Sequence, residues 1–512
     1  MKFFRRHVGV AVLVAMGAVT GITGVTAGSD STELQQRLDG LLADSRYQGS
    51  QVALVVRDAT TGEVLYDRNS GNRVLPASNT KLFTSAAALE TLGADFRFHT
   101  DVLTTGKTYG GVLAGPLYLK GYGDPTSLES DYRALARQVA ATGIRRVVGD
   151  LVADDTFFDN RRLGNGWSWD DESFYYSAQT SALTVAPDTD YDSGTVIVES
   201  APGATVGAPA QLKLIPQTSA VQLVNTSKTG PAGSAYTLNI ERDHGSNVVR
   251  ITGSIPADDT GGQDWVAVWE PANYAADIFR RALAAEGVQV LGKIRTGATP
   301  ATSRRLAHDE SMTMAELMVP FMKLSNNMHG EALLKRMGNG DWDRGLAVTR
   351  SYLQSNGVDV AAMRMVDGSG LSRMNNLTAD GIADLLVAAQ REPWFGAWYA
   401  SLPIAGNADR AIGGTLRNRM RNTAAANNVH AKTGTLTGVT ALSGYVTNAD
   451  GRKLVFSFVS NNFMVSPRPI EDAVAITLAS WSDRADVPTI TPNGQRVAPA
   501  EAELECSKQK DC

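Results

Sequence analysis

Three short motifs carry the residues of this chain best suited to acyl transfer: Ser78-Asn79-Thr80-Lys81, Ser325-Asn326-Asn327 and Lys432-Thr433-Gly434-Thr435. A serine hydroxyl becomes a useful nucleophile only when a neighbour takes its proton. A lysine can do so when burial or nearby positive charge holds it neutral. Ser78 and Lys81 are three positions apart, so a helix would put both on one face. A helix N-terminus there would add partial positive charge where negative charge develops. Lys432 and Thr433 suit a substrate carboxylate, and Gly434 would let a ligand backbone approach its strand closely. The N–H groups of Thr435 and Ser78 are candidates for an oxyanion hole. Ser325 could relay a proton to a leaving amine, and Asn327 could bind a substrate amide.

Each motif alone is weak, and the chain contains look-alikes. Ser507-Lys508-Gln509-Lys510 repeats Ser-x-x-Lys in a polar tail with no helical pattern. Lys228-Thr229-Gly230 precedes Pro231 and a Gly-Ser turn, and reads as a loop. Ser70-Gly71-Asn72 reads as a turn, and Ser460-Asn461-Asn462 as a strand end. Only the chosen three occur in the order Ser-x-x-Lys, Ser-x-Asn, Lys-Thr-Gly that a penicillin-recognising serine site requires.

The elements that must position them can be read from periodicity. Thr32 to Leu42 is an amphipathic helix, Gln51 to Val56 a strand, Ala59 to Gly62 a turn and Glu63 to Tyr66 the return strand. Ser78 to Leu92 is a helix that stops at Gly93. At the other end, Thr435 to Val446 and Lys453 to Val459 are strands about the turn Asn448 to Gly451, and Pro469 to Trp481 is a helix. These distant pieces are expected to build one antiparallel sheet covered by helices. Thr313 to Met337 and Thr378 to Gln390 are strongly helical, so Ser325 falls inside a mostly helical segment. Thr100 to Pro300 is rich in Val, Thr, Gly, Pro and Asp with short alternating runs. It is expected to be a β-rich insertion carrying helices at Ser130 to Thr142 and Ala272 to Glu286.

Composition narrows the function classes. The 512 residues suit several domains, and a hydrophobic content of 43% with 20% charged residues is that of a globular protein. A formal net charge of −5 without a basic stripe argues against a nucleic-acid partner. Lys2, Arg5 and Arg6 precede an apolar run from Val8 to Val19, and Val25-Thr26-Ala27 offers small residues before Gly28. Residues 1–27 therefore read as a cleaved export signal. An uncleaved anchor is disfavoured, because Gly17, Thr20, Gly21, Thr23 and Gly24 dilute the run. No later stretch is long and apolar enough to span a membrane. Cys506 and Cys512 sit in the tail, where oxidising conditions would allow a small loop. Neither they nor the six His residues form a ligand pattern, so no metal and no cofactor is expected.

With these motifs in place, the chain resembles the class C low-molecular-mass penicillin-binding proteins, the penicillin-binding protein 4 (DacB-type) family of D-alanyl-D-alanine carboxypeptidases. Further runs carry the resemblance: Lys120-Gly-Tyr-Gly-Asp-Pro-Thr126, Val148-Gly-Asp-Leu-Val-Ala-Asp154, Ser177-Ala-Gln-Thr-Ser-Ala-Leu183 and Asp367-Gly-Ser-Gly-Leu-Ser372. It implies an α+β multi-domain fold. A penicillin-recognising, β-lactamase-like domain (28–98 and 305–488) would be interrupted by inserted domain II (99–190 and 266–304) and inserted domain III (191–265), with a tail at 489–512.

The same resemblance implies a mechanism. Ser78 would be acylated by the penultimate D-Ala carbonyl of a peptidoglycan stem peptide, with Lys81 as base. Ser325 and Lys432 would relay protons, Lys432 and Thr433 would hold the terminal carboxylate, and Asn327 and Thr435 would fix the peptide backbone. Water would deacylate the enzyme; cross-link cleavage is common in the family, and β-lactams would acylate Ser78 stably. An Asp and aromatics of the insertion recognise a diaminopimelate side chain in some relatives. Trp167-Ser-Trp-Asp170 and Tyr175 resemble that stretch, with Arg373 beside it, and an aromatic inter-domain hinge is the alternative reading. Leu436 puts an aliphatic residue after Thr435, where some relatives differ. An exported, cell-wall-associated enzyme is expected.

Three rivals remain. A class A β-lactamase needs a Glu followed four residues later by Asn, but Glu331 and Glu392 are followed by Lys335 and Gly396. An esterase on the same scaffold would have little use for a carboxylate clamp. A non-catalytic wall-binding protein would not need Ser78, Lys81 and Lys432 intact.

Overall fold

The computed structural model describes residues 29–482. The expected export signal and the cysteine tail, with Ser507-Lys508-Gln509-Lys510, lie outside the described residues.

Gln51–Asp58 shows why the two chain ends meet. Strand side chains alternate between faces. Ala53 and Val55 enter one apolar core, whereas Leu54 and Val56 enter another. A strand buried on both faces reads as a continuous apolar run. Lys453–Asn461 does the same, with Val455 and Val459 on one side and Leu454, Phe456 and Phe458 on the other. The five-stranded sheet has the order Val64–Arg68, Gln51–Asp58, Lys453–Asn461, Val439–Thr447, His430–Leu436, and all its pairings are antiparallel. The terminal helices Ser29–Leu42 and Arg468–Ser480 cover one face through Leu34, Leu38 and Leu42 and through Ile470, Val474 and Leu478. Spacings of four put each trio on one helical face.

The other face is covered by the helices Thr80–Leu92, Met314–Lys323, Asn327–Met337, Trp342–Ser355 and Ala379–Ala389. Leu82, Phe83, Ala86, Ala87 and Leu89 are all buried, so the helix behind Ser78 is the centre of this layer. Its end is fixed by Gly93, whose φ of 87° suits glycine.

Residues 97–313 form the β-rich part, as expected. A five-stranded sheet runs Ile294–Thr296, Leu151–Asp154, Leu117–Gly121, Arg97–Thr104, Arg304–Thr313. Smaller sheets include Gln211–Ile215 with Thr195–Ala201 and Gly262–Ala267. The helices Glu129–Ala141 and Pro271–Ala285 pack on them through Tyr132, Leu135, Ile278 and Phe279.

Three local readings are corrected. The strand expected from Thr435 to Val446 is two strands, His430–Leu436 and Val439–Thr447, turning at Gly438 with φ 73°. Lys432 therefore lies inside a strand rather than opening one. The helical stretch from Thr313 to Met337 breaks after Lys323, and Ser325 sits in the break with φ 64°. Lys228–Gly230 is a short strand paired with Ser254–Pro256, not a loop.

Candidate active site

Ser78 lies in a single 3-10 turn, Ala77–Asn79, that leads directly into the helix Thr80–Leu92. Ala77 holds a left-handed φ of 46°, a strained conformation for a residue with a Cβ. Two close approaches hold it there. Gly370 packs so tightly that a Cβ on it would lie 1.9 Å from the Ala77 carbonyl oxygen. On the other side, a Cβ on Gly434 would lie 2.8 Å from the Pro76 oxygen and 3.1 Å from the Ser78 nitrogen. The glycine of Lys432-Thr433-Gly434 thus makes room for the protein's own serine turn, rather than for the ligand backbone expected from sequence. Asn79 Nδ2 donates to the Lys432 carbonyl at 3.1 Å and ties turn and strand together.

Lys81 is fully buried. Its Nζ lies 2.8 Å from Ser78 Oγ, 2.6 Å from Asn327 Oδ1 and 2.8 Å from the Ser369 carbonyl oxygen. Asn327 Nδ2 donates to the Tyr176 carbonyl at 2.8 Å, which turns Oδ1 towards Lys81. Asn327 Oδ1 and the Ser369 carbonyl oxygen can only accept. A neutral amine has two N–H bonds for those acceptors and one lone pair for the Ser78 hydroxyl proton.

Lys432 is also fully buried, and its Nζ donates to Ser325 Oγ and to the Thr433 carbonyl, both at 2.8 Å. Burial, and then the charge of Lys81, push its pKa well below the ordinary lysine value. The left-handed backbone of Ser325 aims its hydroxyl at Lys432 between two helices. The structure therefore joins Ser78, Lys81 and Asn327 by hydrogen bonds and pairs Ser325 with Lys432, with the two amines near enough for the charge of one to act on the other. Thr433 Oγ1 lies 2.7 Å from Thr415 Oγ1, and Thr435 Oγ1 accepts from Arg468 at 3.3 Å.

The residues suggested for side-chain recognition stand at the rim. The Trp167 indole N–H donates to Asp367 Oδ2 at 3.0 Å, and its ring meets Trp342 edge-on. Asp170 is exposed on the short turn Trp169–Asp171. Arg373 is exposed and donates to the Thr437 carbonyl at 3.2 Å, just beyond Thr435. Asp171 joins them: burial raises its pKa, and Asp170 and Arg373 both act on its charge. Leu436 is buried with Ala77 and Leu371 behind the nucleophile.

Sequence reasoning did not single out Ser369 or Tyr176, and weighed Glu331 only as a β-lactamase-type deacylating residue. The Asp367–Ser372 turn that carries Ser369 is held by two acidic side chains, Glu331 and Asp367. Glu331 accepts from the Gly368 and Ser369 N–H groups at 2.9 and 2.8 Å. Asp367 accepts from the Gly370 and Ser372 N–H groups at 2.9 and 2.6 Å. Burial, and then Asp367, push the Glu331 carboxyl up to about 8. The only sequence sign of this support was the Gly-Ser-Gly run itself. Among the described residues, no helix is long and apolar enough to cross a membrane.

Comparison with known proteins gives a consistent set of matches. The model of the D-Ala-D-Ala carboxypeptidase 3 (S13) family matches residues 34–483. The chain is 44% identical over 499 residues to a D-alanyl-D-alanine carboxypeptidase of Actinomadura sp., covering 95% of this chain and 91% of that one. It is 28% identical over 424 residues to the D-alanyl-D-alanine carboxypeptidase DacB of Haemophilus influenzae, covering 81% and 86%. The crystal structure of penicillin binding protein 4 (dacB) from Haemophilus influenzae superposes with a TM-score of 0.75 at 25% identity, over 88% of this chain and 98% of that one. A second structure of that protein, complexed with a β-lactam, superposes with a TM-score of 0.69.

Proposed function

The chain belongs to the D-Ala-D-Ala carboxypeptidase 3 (S13) family and is a D-alanyl-D-alanine carboxypeptidase; from that premise we propose that it works through an acyl-enzyme on Ser78. The observation that carries this reading is the contact of Lys81 Nζ with Ser78 Oγ, backed by two carbonyl-type acceptors.

Ser78 Oγ attacks the penultimate D-Ala carbonyl carbon of a stem peptide, and its proton passes to the Lys81 lone pair. The N–H groups of Ser78 and Thr435 receive the developing oxyanion. The C–N bond breaks, and Ser325 passes a proton, drawn from the lysine pair, to the departing amine of D-Ala. Water then hydrolyses the Ser78 ester, releasing the shortened peptide and restoring the hydroxyl. Lys432 and Thr433 hold the substrate's terminal carboxylate, while Asn327 and Thr435 align its backbone. A carboxylate beside Lys432 favours the charged form of that amine. Repulsion between the two buried amines then leaves Lys81 as the neutral one.

Cleavage of cross-links follows the same steps with a larger leaving amine. β-Lactams would acylate Ser78 and stay, a reading supported by the β-lactam held by the Haemophilus influenzae protein. Asp170, Trp167 and Arg373 would meet the stem-peptide side chain. Trp167 acts there through Asp367, since its N–H is already engaged. The amino-terminal segment would export the enzyme to the wall.

The test is Ser78→Ala. It should abolish labelling by a fluorescent penicillin on a denaturing gel and lower D-Ala release by at least about 10³-fold. Substantial residual release would refute the acyl-enzyme. Mass analysis of digested muropeptides separates loss of terminal D-Ala from cut cross-links.

A further inference from the structure

A tryptophan ring stands open at the rim of the site, on the side away from the leaving group. Trp169 is 75% exposed and begins the turn Trp169–Asp171. A 3-10 turn has three residues per turn, so Trp169 and Asp170 project from different sides. The turn is held at both ends. Asp171 Oδ1 accepts from the Tyr176 hydroxyl at 2.9 Å, and the Tyr176 carbonyl is the one that orients Asn327. Glu172, the next residue, accepts from Arg242 Nη2 at 2.9 Å and from the Gly245 N–H at 3.0 Å. The ring therefore sits on chain tied to the acyl-transfer residues on one side and to the insertion on the other.

His244 completes the surface. Its ring centre lies 4.9 Å from that of Trp169, with the planes 46° apart. Its Nδ1 is 3.0 Å from Glu172 Oε2. Burial alone would raise the Glu172 pKa, but the Gly245 N–H, Arg242 and His244 outweigh it and hold the carboxyl below its ordinary value. A carboxylate can only accept, so Nδ1 carries the proton and Nε2 of the neutral ring is left as an acceptor. The same carboxylate fixes the orientation of the ring, which is 44% exposed. A lone exposed aromatic needs no ligand. This one has a fixed acceptor beside it and lies on the path of the substrate.

That path follows from the clamp. With the leaving carboxylate on Lys432 and Thr433 and the backbone beside Thr435, the acyl part runs antiparallel to His430–Leu436 and leaves it near Thr437. Arg373 donates to the Thr437 carbonyl at 3.2 Å and acts on the charge of Asp171, which places the Trp169–Asp171 turn at that exit. In a stem peptide three residues precede the penultimate D-Ala, roughly 10 Å of extended chain. The first is joined through a lactyl group to an N-acetylated sugar of the glycan, so the sugar falls outside the cleft on the side of this turn. We propose that Trp169 and His244 form a platform for an N-acetylhexosamine ring of the wall glycan. The C–H face of the pyranose covers the indole, whose electron-rich face attracts it, and a hydroxyl or the acetamido N–H donates to His244 Nε2. No bond is made or broken there; the platform adds affinity for substrate that carries its sugar. The proposal rests on the reading that Ser78 is acylated with the leaving carboxylate on Lys432 and Thr433.

The test uses the full chain and two substrates with one pentapeptide, either free or joined to the disaccharide of N-acetylglucosamine and N-acetylmuramic acid. The wild type should show the lower KM for the sugar-bearing peptide. Trp169→Ala and His244→Ala should each raise that KM about fivefold, with kcat, the KM of the free peptide and penicillin labelling unchanged. Trp169→Phe, which keeps an aromatic face, should recover most of the loss. Equal wild-type KM values for the two substrates, a Trp169→Ala effect shared by both, or a Phe variant no better than the Ala one overturns the platform. A wild-type enzyme that releases D-Ala from neither substrate and takes no penicillin label instead overturns the Ser78 reading beneath it.

Discussion

Lys81 and Lys432 are two buried amines in one cleft, and the second is held down by burial and by the first. A lysine whose pKa is lowered gains its neutral form at lower pH. Acylation needs one amine of the pair neutral, and repulsion between two buried amines favours loss of the first proton from the pair below the free-lysine value of 10.5, so the rate should climb with pH on a limb below that value. The expected result is a kcat/KM for D-Ala release that levels off before strongly alkaline pH. Penicillin acylation of Lys432→Met should show its limb at higher pH, because Lys81 then loses a repelling neighbour. A wild-type limb near 10.5 would contradict the neutral-amine mechanism. Gly434 makes a separate prediction at this scale. Its missing Cβ leaves room for Pro76 and Ser78, so Gly434→Ala must push the serine turn away from Lys81. A 1 Å misplacement of a reacting group costs about 10²-fold in rate, and a fall of that order in penicillin acylation is expected with little change in thermal stability. Wild-type acylation by Gly434→Ala would show that the turn can yield.

At the scale of elements, the Asp367–Ser372 turn decides whether Lys81 has a place to stand. Its Ser369 carbonyl holds the amine, and Glu331 holds the Ser369 and Gly368 N–H groups. Glu331→Gln would point an amide N–H at one of these donors. A buried donor left unpaired costs about 1–3 kcal/mol. Urea unfolding should report that loss, and penicillin acylation should slow as the turn drifts; a variant with wild-type values in both would mean the turn needs no carboxylate. Beyond the Gly-Ser-Gly run, this support was not visible in the sequence. There Glu331 could be weighed only as a deacylating base, because its partners lie 37 and 38 positions away. The sheet was far more legible. The run Gln51 to Val56 and its turn at Ala59–Gly62 announce a strand through local pattern alone. The break at Ser325 was hidden because residues on both sides favour helix, and its left-handed backbone is imposed by packing. The hairpin at Gly438 was hidden because the Thr- and Val-rich residues flanking it suit one strand as well as two, leaving one glycine as the only sign.

At the scale of the whole molecule, the site depends on how residues 157–182 lie across the helical layer. Asp159 N donates to the Gly340 carbonyl at 2.8 Å, and a Cβ on Gly340 would lie 1.9 Å from the Phe157 oxygen. Lys335, fully buried, donates to Asp159 Oδ1 at 3.0 Å and to the Arg161 carbonyl at 2.5 Å. Its Nζ also stands 5.4 Å from the Phe158 ring centre and 5.1 Å from that of Trp342. Burial lowers the Lys335 pKa, against the pull of Asp159. The same strand of chain continues to Trp167, whose indole secures Asp367, and to Tyr176, whose carbonyl orients Asn327. Lys335→Met keeps the length of the side chain and removes its charge, leaving the Arg161 carbonyl without its lysine donor and Asp159 without its buried counter-charge, although the Arg161 and Trp342 N–H groups still bond that carboxylate. Removing one partner of a buried pair costs about 3–5 kcal/mol, and partial exposure of Asp159 brings the expectation to about 2–3 kcal/mol. Amide exchange should then quicken in 157–182 ahead of the central sheet, and D-Ala release should fall with Ser78 and Lys81 themselves unchanged. A loss under about 0.5 kcal/mol, with exchange unaltered in that segment, would mean that apolar packing alone seats the insertion on the catalytic layer.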